Sequence, residues 1–93
     1  MKYVMTDEGT KEFKGNRQKY RVPNTYNKVM GVLSSGVGYN VDSLLNFIIS
    51  DPRVKEGPSY LAKALMELEE LGYVKAIGKD QVTPMNFRRG DTQ

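Results

Sequence analysis

Between Pro58 and Ile77 the apolar period of this chain changes from helical to alternating. Leu61, Ala64, Leu65 and Leu68 recur at helical spacing, and Leu71 extends the stripe. After Gly72, Val74 and Ala76 fall on one face of an extended segment, and Tyr73, Lys75 and Ile77 fall on the other. Pro58 suits a first helical turn, because its ring presets φ and its missing amide is not needed there. Gly72 can adopt the left-handed conformation that closes a helix. Gly78-Lys79-Asp80 is a turn signal, and Gln81-Val82-Thr83 can return as a partner strand. Pro84, which has no amide to donate, ends the pairing. A helix that runs straight into a short hairpin predicts an α+β domain, in which other elements must cover the helix stripe.

Two earlier segments carry the same stripe. Asn24 is placed to cap a helix with Tyr26, Val29, Met30 and Leu33 on one face, closed by Ser34-Ser35-Gly36. Asn40 is placed to cap a second, with Val41, Leu44, Leu45 and Ile48 facing inward. Asp51-Pro52 stops it, because the residue before proline is pushed out of the helical region. Three amphipathic helices can share one core. Gly36-Val37-Gly38-Tyr39 is a turn with room for a short strand. Ahead of these helices, Lys2 to Thr6 alternates weakly, as a short strand would. Asp7 to Phe13 can form one or two helical turns with Thr6 as N-cap, against the cost of Gly9. Lys14 to Pro23 is polar and basic and reads as a loop or arm. It reads equally as a cover on the core, since Tyr20 and Val22 need burial.

With 93 residues the chain makes one domain with a single small core. It has neither cysteine nor histidine. Disulfides, thiolate nucleophiles and the usual zinc, copper and haem ligands are therefore excluded, and no EF-hand spacing of acids is present. No nucleophile–base arrangement and no glycine-rich phosphate loop appear. The sequence therefore predicts a binding protein rather than an enzyme, with no cofactor and no metal. No apolar run reaches the roughly 20 residues of a membrane span. The first residues turn acidic at Asp7-Glu8 without a secretory h-region, so a cytoplasmic location is expected. The net charge is +3 and unevenly spread. Lys11, Lys14, Arg17, Lys19 and Arg21 face one acid, Glu12, while Glu67, Glu69 and Glu70 gather at one helix end.

The order helix, turn, helix, loop, helix, hairpin resembles the winged helix-turn-helix superfamily. Leu65-Met66-Glu67-Leu68-Glu69-Glu70-Leu71-Gly72-Tyr73-Val74 is similar to the segment where MarR-, ArsR- and PadR-type regulators end their recognition helix and begin the wing. Val29-Met30-Gly31-Val32-Leu33 followed by Gly38-Tyr39-Asn40-Val41 resembles the first-helix exit of PadR-type proteins. The resemblance covers residues 24–84 and implies a three-helix core with a C-terminal β-hairpin wing. Residues 1–23 would be an N-terminal strand and basic arm, and residues 85–93 a flexible tail. The chain departs from the pattern at two places. The segment from Ser50 to Gly57 is longer than a tight helix-turn-helix allows. Tyr3-Val4-Met5-Thr6-Asp7-Glu8-Gly9 resembles the strand and helix start that follow the wing in MarR-type regulators, yet it comes first here. It can join the wing sheet from the other end.

The resemblance implies sequence-specific binding to double-stranded DNA and transcriptional regulation, with the third helix in the major groove. That helix shows Ser59, Tyr60, Lys63, Met66, Glu67 and Glu70 to solvent. Ser59, Tyr60 and Lys63 lie at its N-terminal end, where groove-reading helices contact base edges. Arg53 and Lys55 could clamp phosphates at its start. Lys75 and Lys79 would lie on the wing, along the backbone or in a minor groove. Arg17, Lys19 and Arg21 of the arm would add attraction that fades with salt. A homodimer could read two half-sites, built through the N-terminal segment or the tail, since no long extra helix is present. The alternative is a winged-helix protein-interaction module within a larger assembly, which the Glu67–Glu70 patch favours.

Overall fold

The computed structural model describes residues 1–78. Among them are β1 (Lys2–Met5), α1 (Asp7–Gly15), a 3-10 helix (Lys19–Arg21), α2 (Thr25–Leu33), α3 (Val41–Ile49), α4 (Tyr60–Glu70) and β2 (Val74–Ile77). The described chain is thus α+β, with four α-helices and a two-stranded antiparallel sheet. The expected return strand Gln81–Thr83, Lys79 and the 85–93 tail lie outside the described residues.

The caps form where the sequence puts them. The side chains of Thr6, Asn24 and Asn40 accept from Gly9 N–H, Asn27 N–H and Ser43 N–H, at 3.0, 2.8 and 2.8 Å. Each satisfies a donor that a helix start leaves without an intrahelical partner. Gly36 and Gly72 hold φ values of 88° and 81°. At the end of α4, Gly72 N–H donates to Glu69 O and Tyr73 N–H donates to Leu68 O, both at 3.0 Å. This pair of bonds closes a helix in the Schellman manner and redirects the chain into β2.

α2 lies against α3, α4 and the 3-10 helix. The buried cluster joins Val29, Met30 and Leu33 of α2, Leu44 and Ile48 of α3, Leu61, Leu65 and Leu68 of α4, Val74 of β2 and Tyr20 of the 3-10 helix. Truncating one of the fully enclosed leucines to alanine costs about 2–5 kcal/mol in such a setting. Two stripe residues lie elsewhere than expected. Leu71 is 52% exposed, because α4 ends at Glu70 and the turn at Gly72 carries Tyr73, not Leu71, back onto the core. Val41 is 42% exposed. It opens α3 on the flank that Leu45 and Ile49 share, off the Leu44–Ile48 line.

The sheet draws its strands from the two ends of the described chain. β1 pairs with β2 in the register Lys2↔Ile77, Tyr3↔Ala76, Val4↔Lys75, Met5↔Val74. On its other edge Tyr3 exchanges both backbone bonds with Tyr39, at 2.8 and 3.1 Å. β1 therefore has backbone partners on both edges, β2 on one and the single bridge to Tyr39 on the other. The stretch expected as an arm is a cover on the core. α1 runs on to Gly15, Tyr20 is buried, and its hydroxyl donates to Glu12 Oε2 at 2.8 Å. The Tyr20 ring also packs on Phe13 at 5.4 Å. Val22, by contrast, stays exposed.

Thr6 joins α1 to the turn between α4 and β2. Its hydroxyl donates to Gly72 O, and its amide donates to Tyr73 O at 2.9 Å. A Cβ on Gly9 would stand 2.1 Å from Tyr73 O, so α1 can approach this closely only with glycine there. Gly9→Ala is expected to destabilise the protein by about 1–3 kcal/mol or more. Gly15→Ala, with open space around the new methyl, should leave stability unchanged or raise it by up to about 1 kcal/mol. Urea unfolding midpoints compare the two, and equal midpoints would contradict the close seating of α1.

Candidate nucleic-acid interface

The loop between α3 and α4 starts from a charged node. Asp51, almost enclosed, accepts four hydrogen bonds from two residues. Arg53 N–H and Nε donate to its Oδ1, both at 3.0 Å. Arg53 Nη2 and Lys28 Nζ donate to its Oδ2, at 2.9 and 3.0 Å. Arg53, then Lys28, then the Arg53 amide hold the Asp51 carboxyl well below the usual carboxylate range. One acid thus faces two cations, and a positive charge is left over. The Arg53 side chain is 71% exposed, so its remaining donors face solvent.

These groups border a cleft of about 310 Å³ between the 3-10 helix, α2 and the loop after α3, and Arg21 and Asn24 also line it. The structure thus brings together Arg21 and Arg53, expected as parts of separate phosphate contacts. It adds Lys28, which the sequence reading missed. The available signal was that Lys28 is the one charged residue in α2.

A second cleft, of about 180 Å³, lies at the other side of the α2 N-terminus, where Thr25 follows Asn24. Tyr60, Lys63 and Glu67 of α4 line it together with Thr25, Tyr26 and Glu56. Glu56 accepts from Thr25 N–H at 2.8 Å, so the loop ahead of α4 also caps α2. Tyr60 N–H and Leu61 N–H donate to Gly57 O and Pro58 O, both at 3.1 Å. With these amides occupied, contacts from the start of α4 fall to its side chains. Ser59 is exposed, and its hydroxyl makes no capping bond. Tyr60 is half exposed, and among the described residues no carboxylate pairs with Lys63.

The remaining candidates are scattered. Lys55 lies exposed in the loop, and Arg17 lies exposed between α1 and the 3-10 helix. Lys75 projects from β2 on the side away from buried Val74. Lys19 is engaged by Glu12 at 3.1 Å. Tyr20 and then Lys19 hold the Glu12 carboxyl below its ordinary range.

The other flank of α4 differs in chemistry. Ala62, Met66 and Glu69 line a groove of about 280 Å³ with Val41 and Leu45 of α3 and Tyr3 of β1. Among the described residues Glu69 is the one charged residue lining it. Among the described residues no group of three or more acids could hold a metal ion, and no helix is long and apolar enough to cross a membrane. No protein-family model matches the chain, nor does any curated protein or solved structure to which it was compared.

The Asp51 node makes stability depend on acid. A carboxyl whose folded pKa is depressed stabilises above its unfolded value of about 3.9, and the contribution is lost as pH falls below that. Asp51→Asn should therefore be less stable than wild type at neutral pH, and the gap should narrow steadily as pH drops from about 4 to about 2. Denaturant midpoints across that range test this. A gap that stays constant would show that the ion pairs are not what Asp51 contributes.

Proposed function

We propose that this chain is a winged helix-turn-helix module that binds double-stranded DNA and regulates transcription, acting without catalysis, cofactor or metal. One observation carries the reading. The start of α4 presents Tyr60 and Lys63 in one cleft, with Ser59 exposed just ahead of them, while Arg21, Lys28 and Arg53 line a separate cleft on the other side of the α2 N-terminus. Serine and lysine can bond base edges or phosphates, and tyrosine can do so while packing on a sugar. The arginines offer forked donors that suit phosphate oxygens. Glu69 and Glu70 sit at the far end of α4, while Glu67 lines the same cleft as Tyr60 and Lys63, so the helix would enter a groove by its first turns alone.

The connectivity supports the same reading. α2, α3 and α4 would be the three helices of the motif, with β2 as the first strand of the wing. β1 fills the place beside β2 from the opposite end of the chain, matching the resemblance of residues 3–9 to the strand and helix start that follow the wing in MarR-type regulators. Lys75 would then touch the backbone from the wing, and Lys79 would extend that contact. A two-fold pair of such modules would read two half-sites.

The test is fluorescence anisotropy with random duplex DNA at about 50 and about 200 mM salt. Binding in the micromolar range that weakens steeply with salt is expected, about tenfold weaker or more for Lys63→Glu. Arg21→Gln and Arg53→Gln should each lower the salt slope by about 0.9, the value of one phosphate contact. Absence of binding by the folded wild type at the lower salt would overturn the DNA reading.

A further inference from the structure

We infer that the groove between α3 and α4 is a docking site for a basic amphipathic helix of a partner protein. The inference is independent of DNA binding. The groove is lined by Ala62, Met66 and Glu69, and the cleft beside the candidate DNA contacts by Tyr60, Lys63 and Glu67, so the two surfaces use different flanks of α4.

Three observations define the occupant. The first is shape and polarity. α3 sets Val41, Leu45 and Ile49 at i, i+4 and i+8 on one face, with Val41 and Ile49 42% and 63% exposed. Across the groove stands Met66, 62% exposed. Of the α3 residues, Val41 and Leu45 line the groove; four helical rises separate them by about 6 Å, the spacing of apolar anchors at i and i+4 on a docked helix. Among the described residues nothing covers Val41 or Met66, and an apolar groove between two helices suits the apolar face of a third.

The second is charge. Among the described residues no lysine or arginine lines the groove, and Glu69 does. Asp42 is exposed on α3, and Glu70 is exposed at the end of α4. The occupant is therefore one whose apolar face is flanked by lysine or arginine. A second copy docked groove to groove by a two-fold axis would bring Glu69 and its neighbours against their own equivalents, which is repulsive.

The third is a local cost. α4 carries Glu67, Glu69 and Glu70 near its C-terminus and no basic residue in its last turn. Negative charge there opposes the helix dipole. Residues that break a local rule, and that have no ion-pair partner among the described residues, are those expected at a functional surface.

The experiment uses the full chain and two labelled helical peptides of about 14 residues, with leucine at i, i+3, i+4 and i+7. The other positions are lysine in one peptide and glutamate in the second. Anisotropy should show the lysine peptide binding at least about tenfold tighter than the glutamate peptide. Val41→Lys and Met66→Lys, both at exposed positions, should each weaken it about tenfold or more. Leu71→Lys, the same kind of change outside the groove, should leave it within about twofold. Equal binding of both peptides, no binding of either, or indifference to Val41→Lys and Met66→Lys would overturn the inference. So would a dimer in sedimentation velocity that Met66→Lys dissociates, which would give the groove to a second copy.

Discussion

The joint at Thr6 holds the two ends of the described chain together. Through one residue it caps α1, donates its hydroxyl to Gly72 O and donates its amide to Tyr73 O. Gly72 and Tyr73 in turn form the turn that ends α4. α1, α4 and β2 therefore share one set of hydrogen bonds, and the close approach of Gly9 to Tyr73 O fixes how tightly they meet. Contacts of this sequence separation carry a loop-closure cost, which grows only slowly with length and is repaid by the core they enclose. Once β1 is anchored beside β2, Tyr39 is drawn to its free edge, and the start of α3 is set by the same sheet.

From that frame α4 becomes a boundary between two chemistries. One flank lines the cleft that holds Tyr60 and Lys63, and Arg21, Lys28 and Arg53 line another cleft across the α2 N-terminus. The other looks onto an apolar groove with an acidic rim. The basic side is preorganised because Asp51, enclosed and ionised, fixes the directions of Lys28 and Arg53. Ion pairs between exposed side chains, such as Lys19 with Glu12, contribute little by comparison, because solvent screens them and two long side chains must be held still. Burial of the Tyr20 ring does more to place the 3-10 helix, and its hydroxyl keeps a partner in Glu12.

Local signals were readable wherever the chemistry was local. Asn24, Asn40 and Thr6 cap helices because their side chains reach an amide three residues on, a relation contained within a few residues of sequence. Gly36 and Gly72 take positive φ for the same kind of reason. The inward stripes of α2 and α4 followed from spacing alone, except at Leu71, where the chain leaves the helix. The candidate site was legible in part. Ser59, Tyr60 and Lys63 follow from the exposed face of one helix. The meeting of Arg21 with Arg53, and the presence of Lys28 beside them, depend on how the 3-10 helix, α2 and the loop after α3 come together.

By itself, then, the sequence determined the α+β class, α2, α3 and α4, the caps of Thr6, Asn24 and Asn40, the strand after Gly72 and most of the core residues, though not the exposure of Val22, Val41 and Leu71. These follow from side-chain period and from backbone preferences that act over a few residues. Tertiary structure decided which strand pairs with β2, which basic residues share a cleft, and that Tyr20 turns a polar arm into a lid on the core. It also decided that Val41 and Met66 stand open on the far flank of α4. Such outcomes rest on contacts between residues distant in sequence, whose free energy depends on the surfaces presented by whole elements.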